Sequence, residues 1–98
     1  MRHLEITLDR VHVDLGLTRV LHDLTLHISG RTHYAVLGDN GAGKTTLLRL
    51  LTGEIWPSQR DGGRRVYRLN GEETLSPIAA RPFMRMVTPL STKVRINI

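Results

Sequence analysis

The chain has no cysteine. Disulfide frameworks and cysteine-based zinc sites are thereby excluded, and a reducing cytoplasmic setting is compatible with the composition. Aromatic residues make up only 4% of the 98 residues, and none occurs before Tyr34. Long hydrophobic runs are also missing. The longest apolar clusters, YAVL and LLRLL, are interrupted within a few positions, far short of the roughly 18 apolar residues of a membrane-spanning helix. The stretch MRHLEITLDRVHVDL has no apolar segment long enough for a signal peptide, so none is expected. Internal repeats and low-complexity tracts are absent.

What remains is ordinary globular material. Hydrophobic residues are 40% and charged residues 23%, enough for one modest core in a single domain or part of a larger one. The balance is basic, with a formal net charge of +5, and 12 of the 14 basic residues are arginine. Most arginines are scattered. One cluster, QRDGGRRVYR, reads as a solvated basic hairpin loop. Nucleic acid is not the expected partner, because no base-stacking aromatic pattern surrounds these arginines.

Hydrophobic periodicity divides the chain. Leu4, Ile6 and Leu8 alternate with polar residues, as do Val11, Val13 and Leu15, and then Leu24, Leu26 and Ile28. Period two predicts half-buried strands in an antiparallel layer, with turns near Asp9-Arg10, Gly16 and Ser29-Gly30. Tyr34 to Leu37 is a continuous apolar run, suited to a strand of a parallel sheet buried on both faces. Gly38 to Gly43 read as a glycine-rich turn. A helix is predicted to begin near Lys44, with Leu47, Leu48, Leu50 and Leu51 inward and Gly53 as its C-cap. Arg65 to Leu69 reads as a strand turned by Asn70-Gly71. Ser76-Pro77 reads as the start of a short helix interrupted by Pro82. Met84 to Val87 and the alternating Val94, Ile96 and Ile98 read as further short strands.

The chemistry concentrates in GDNGAGKTTLL. Gly38, Gly43, Lys44 and Thr45 satisfy G-x-x-x-x-G-K-[ST]. Glycines let the backbone wrap closely and turn successive N–H groups inward as an anion nest. The helix that follows adds its positive end. Lysine supplies a mobile charge for the β- and γ-phosphates, and the threonine hydroxyl can bind Mg²⁺. An apolar strand before the loop and an apolar-faced helix after it supply the context this motif requires.

With GDNGAGKTTLLRLLTGEIWP in view, the chain resembles the nucleotide-binding domain of an ABC (ATP-binding cassette) ATPase. VLHDLTLHISGRTHYAVLGDNGAGKT is similar to that family's strand, turn, buried strand and loop, and TGEIWP with the later RLNG to its return strand and hairpin. The resemblance covers residues 4 to 89, most strongly 20 to 71. It implies an α/β fold: part of a P-loop NTPase core with an N-terminal antiparallel β layer at about 1–30, the strand–loop–helix unit at about 32–53, and a hairpin and remainder at 54–98. It implies that Gly38, Asn40, Gly41, Ala42, Gly43, Lys44, Thr45 and Thr46 bind ATP, with Thr45 on Mg²⁺ and Thr46 at the α-phosphate. The family stacks adenine on an aromatic side chain. The matching position here falls near Leu15, so apolar contact is expected in its place. The implied partners are a second nucleotide-binding domain and a membrane subunit, at the cytoplasmic face of a membrane.

Hydrolysis needs an oriented water, a further carboxylate at the metal and compensation of transition-state charge. The family supplies these from a Gln loop, a Walker B Asp-Glu, a switch histidine and an LSGGQ-type signature. None of these occurs in the 98 residues. The expectation is the N-terminal part of such a domain, binding nucleotide without appreciable turnover. VHVD, ending at Asp14, lies in the antiparallel layer and is read as strand, not as a metal site. The histidines at 3, 12, 22, 27 and 33 lack metal-ligand spacing, and Glu72 and Glu73 fall on a solvated turn. A reading from another class is a non-catalytic interaction or nucleic-acid-binding module with a vestigial loop, supported by the arginines between Arg60 and Arg68.

Overall fold

The computed structural model describes residues 3–29, 34–37, 41–84 and 94–97. A four-stranded antiparallel sheet has the order β2-β1-β4-β5. Its strands are β1 (Leu4–Leu15), β2 (Thr18–Ser29), β4 (Arg64–Leu69) and β5 (Glu72–Thr74). A two-stranded parallel sheet joins β3 (Tyr34–Leu37) to β6 (Val94–Asn97), with Tyr34 opposite Val94 and Leu37 opposite Asn97. Helix α1 spans Gly41–Thr52, and a single-turn helix α2 spans Pro77–Ala80. The parallel pairing of β3 agrees with its unbroken apolar sequence.

The first two alternating runs form one strand. Leu4, Ile6 and Leu8 face the core on even numbers, whereas Val11 and Val13 face it on odd numbers. The change of parity at Asp9-Arg10, predicted as a turn, is a β-bulge within β1. Across the ladder, Leu8 pairs with Leu26 and Val11 with Leu24, so β1 holds one extra residue there. Val11 to Val13 then face Leu24 to Leu21, so β2 holds the next extra residue. The residues that absorb these irregularities, Arg10 and Asp23, have φ of 52° and 46°. Their amides are satisfied by side chains: Arg10 N–H donates to Thr25 Oγ1 at 3.1 Å, and Asp23 N–H to His12 Nδ1 at 3.1 Å. Gly63 packs on this bulge so tightly that a Cβ would overlap the Arg10 carbonyl.

Asn70-Gly71 closes the β4–β5 hairpin as predicted, with φ of 51° and 89°. Asn70 Oδ1 also accepts the His3 N–H at 3.0 Å. Ser76 stands just before α2, but its hydroxyl makes no capping bond. Its N–H instead donates to Thr74 Oγ1 at 3.0 Å. After α2 the chain tightens into a 3₁₀ turn, Arg81–Phe83, around Pro82. Gly30 of one predicted turn, and the predicted strand beyond Met84, lie outside the described residues.

The core lies between the antiparallel sheet and the helices. Leu4, Ile6, Leu8, Val11, Val13 and Leu21 from the sheet meet Leu47 and Leu50 of α1, with Tyr67 and Ala80 in the same cluster. Burying a leucine of this kind contributes on the order of 2 kcal/mol. The contact that fixes α1 against the sheet is therefore made by its middle, leaving its two ends for other work.

Candidate functional site

Three residues connect β3 to α1. Gly38 and Asn40 are among them and lie outside the described residues. The helix begins at Gly41, three residues before the predicted start at Lys44. Gly41, Ala42 and Gly43, read as loop, are its first turn. The N–H groups of a helix's N-cap and first three residues have no intrahelical acceptor, so those of residues 41–43 and the positive end of the dipole stand at the exit of the loop. No acidic residue occupies the first turn to neutralise them.

Helical spacing then sorts the side chains. Gly43, Thr46, Leu47 and Leu50 are buried, at i, i+3, i+4 and i+7. Thr45 and Arg49 are exposed one turn apart, and Lys44 is half-buried between the two faces. Lys44 forms no ion pair with any described residue. The result is a helix anchored in the core by its leucines, with a cation, a hydroxyl and amides lacking intrahelical acceptors at its start. The donor set suits an anion and, at Thr45, a hard cation that prefers oxygen. Leu15, near the position expected to meet the base, is 43% exposed beside the fully exposed Leu17 at the β1–β2 turn.

Asp14 does not stand free in β1. Arg19 Nε donates to its Oδ1 at 2.8 Å, and this bond holds the carboxyl below its ordinary value of 3.8 against the opposing effect of burial. The His12 and His22 rings meet edge to face at 5.0 Å, and His27 flanks Glu5 at 3.4 Å. Among the described residues no group of three or more His, Asp or Glu is arranged to hold a metal ion. An open depression of about 430 Å³ lies on the outer face of the antiparallel sheet. Glu5, Asp9 and Glu73 line it with Arg64 and Arg68, and its carboxylates disfavour a polyanion.

The other end of α1 was not legible as special. Arg65, counted with a solvated basic cluster in the sequence, is only 3% exposed. Its Nη1 donates to both Leu50 O and Ile55 O at 2.7 Å, and its guanidinium lies 4.4 Å from the Trp56 ring. Tyr67 OH donates to Leu51 O at 2.8 Å, and Arg81 Nε to Thr52 O at 2.8 Å. Burial lowers the Arg65 pKa and raises that of Tyr67. The signal was period two in β4: Arg65, Tyr67 and Leu69 share the inner face, while Arg64 and Arg68 point outward. With Arg65 inside, and Arg68 paired to Glu73, the cluster is no continuous basic surface.

Known proteins are similar to this chain. The ABC transporter family matches residues 21–86. The zinc import ATP-binding protein ZnuC of Yersinia pestis is 37% identical over 89 aligned positions, covering 83% of this chain and 35% of that protein. ZnuC of Photorhabdus laumondii is 39% identical, with 83% and 34% covered. The aliphatic sulfonates import ATP-binding protein SsuB of Granulibacter bethesdensis is 48% identical over 54 positions, 55% of this chain and 23% of that one. Among solved structures, a bacterial Atm1-family ABC exporter with ATP bound superposes with a TM-score of 0.61 at 26% identity, covering 81% of this chain and 14% of the exporter. The cassette MJ1267 of an ABC transporter agrees in fold, with a TM-score of 0.53 at 19% identity over 69% of this chain and 25% of that one. The chain spans about a third of the length of the ZnuC relatives it matches. It belongs to the ABC transporter family, as part of an ATP-binding domain with a partial P-loop NTPase α/β fold.

Proposed function

We propose that this chain binds ATP with Mg²⁺ through the segment Gly38–Thr46. The observation that carries the reading is the start of α1. Amides without an intrahelical acceptor, a first turn without an acidic residue, a half-buried Lys44 and an exposed Thr45 lie three residues beyond the β3 strand. In this reading, backbone N–H groups from Asn40 to Thr46 wrap the phosphates, Lys44 reaches the β- and γ-phosphates, and Thr46 serves the α-phosphate. Thr45 would hold the metal through its hydroxyl, and the ion would supply charge compensation between phosphate oxygens. Leu15 and Leu17 offer the base apolar contact without aromatic stacking, so phosphate recognition outweighs base recognition.

The domain organisation fits the same reading: a β layer at about 1–30, the strand–loop–helix unit at about 32–53 and the remainder at 54–98. The larger role is coupling of ATP hydrolysis to transport, in the cytoplasm at the inner face of a membrane, with a second nucleotide-binding domain and a membrane subunit. Support for that role comes from family membership and from relatives named as import ATP-binding proteins.

The test is the affinity of the chain for ATP and ADP, with and without Mg²⁺, repeated with Lys44→Ala. Removing the one mobile cation of the loop should weaken triphosphate binding at least tenfold, about 1.4 kcal/mol or more. Binding indifferent to Lys44 would count against the reading.

A further inference from the structure

Arg65 is an expensive way to fill a core position. A buried guanidinium without a carboxylate is costly to desolvate, and an apolar side chain of similar volume is often as stable or more so. Leu69 occupies the same inner face of β4 without that cost. Among the described residues Arg65 has no acidic partner, and its Nε and Nη2 are buried without a hydrogen bond. What opposes its charge is the negative end of α1, reached through Leu50 O, together with the faces of Trp56 and Tyr67.

The bonds that Arg65 does make are directional. One nitrogen ties Leu50, in the last turn of α1, and Ile55, beyond the helix end, to strand β4. Tyr67 from the same strand takes Leu51 O, and Arg81 takes Thr52 O. Three successive carbonyls at the end of α1 are thus held by side chains from outside it. Gly53 then turns with φ of 88° directly against Pro77, with no room for a Cβ. The helix is 12 residues long, so its ends are roughly 18 Å apart along one stiff rod. A rod fixed at one end fixes the height of the other.

We propose that Arg65 is a positioning residue for the phosphate site: by holding the C-terminal carbonyls of α1, it sets where the amides of residues 41–43 and the Lys44 side chain stand. This inference rests on the nucleotide-binding reading for its purpose, but its structural content can be tested without nucleotide. A role confined to stability would change the folding midpoint and leave the properties of the folded molecule unchanged.

The experiment compares the full chain with Arg65→Met and Arg65→Lys, at a temperature where circular dichroism shows each folded. The first readout is the set of amide NMR shifts of Gly43 to Thr46 in nucleotide-free protein. Arg65→Met should move them, and changes confined to residues 48–58 and their neighbours would overturn the proposal. The second is Mg-ATP affinity. Arg65→Met should weaken it about tenfold and Arg65→Lys about threefold, since a small misplacement of binding groups is costly. The third is emission from Trp56, the single tryptophan. Mg-ATP should perturb it in the parent chain and much less in Arg65→Met, because coupling between the two ends is reciprocal. Unchanged affinity in both variants, with normal binding by the parent, would sink the inference and leave nucleotide binding intact. Absence of binding by the parent would defeat the nucleotide reading, and the amide shifts would then decide the positioning role alone. If Arg65→Met fails to fold, Arg65→Lys decides, and parent-like shifts and affinity in it overturn the proposal.

Discussion

Tyr67 places a hydroxyl in the core, where it donates to the Leu51 carbonyl at the end of α1. Burial pushes its pKa above 10.0, partly offset by Arg65 and Arg81. Between 10.0 and the raised value, the folded chain holds a proton that the unfolded chain has released. Stability from this group is therefore fully present below pH 10 and lost as pH rises through the folded pKa. Tyr67→Phe should cost about 1 kcal/mol at pH 8, the net worth of one buried hydrogen bond. That gap should shrink as pH is raised past 10, because the substituted chain has no proton to lose there. Urea unfolding of both proteins from pH 8 to pH 11 checks this, and a gap that stays constant would refute it. The neighbouring Arg65 shows what was hard to read at this scale. In the sequence it is one of several arginines near a loop, and counting charge by proximity assigns it to solvent. Only the alternation of β4, which puts it on the same side as Tyr67, separates it from Arg64 and Arg68. The roles proposed for Gly38 to Thr46 rest instead on fixed spacing, which is visible without a fold.

Among the elements, β1 is where sequence and structure part most clearly. Two apolar runs offset by one residue are compatible with two strands joined by a turn, and also with one strand carrying a bulge. Local residues do not choose between these, because Asp9-Arg10 suits a turn. The choice is made by β2, which pairs with β1 both before and after the bulge, and by Thr25 and His12, whose side chains take the displaced amides. Gly63 contributes from a distance in sequence, since its missing Cβ leaves space for the Arg10 carbonyl. Gly63→Ala should therefore destabilise by about 1–3 kcal/mol, the usual cost of forcing atoms into a packed site. Faster hydrogen exchange at the Arg10 amide should accompany it. A substitution that leaves both the urea midpoint and that exchange rate unchanged would show that the bulge does not depend on this contact. By contrast, β3, the existence of α1 and the Asn-Gly hairpin were readable because each is specified by adjacent residues: an apolar run, a leucine-rich helical pattern, a turn dipeptide.

For the whole molecule, the question is what nucleotide does to a chain for which a phosphate loop is proposed and in whose 98 residues the family's water-activating motifs do not occur. A ligand that binds only the folded state stabilises it by mass action. At a concentration 100 times its dissociation constant, Mg-ATP should contribute about 2.7 kcal/mol. In a domain of this size that corresponds to a rise in melting temperature on the order of 10 °C. The rise should require Lys44 and be largely absent in Lys44→Ala, although that substitution is made at a half-buried helix position away from the core leucines. Phosphate release is expected to stay at the level of Lys44→Ala under the same conditions, because in the proposed reading Lys44 and Thr45 would bind and polarise the triphosphate but would not orient or deprotonate water. Melting curves and a phosphate assay on the same samples separate the two properties. A thermal shift without turnover fits a binding element that relies on other groups for chemistry. Sustained release that disappears in Lys44→Ala would mean that a water-activating group has gone unrecognised among these residues, and the carboxylates of Asp9, Glu5 and Glu73 would be the first to replace.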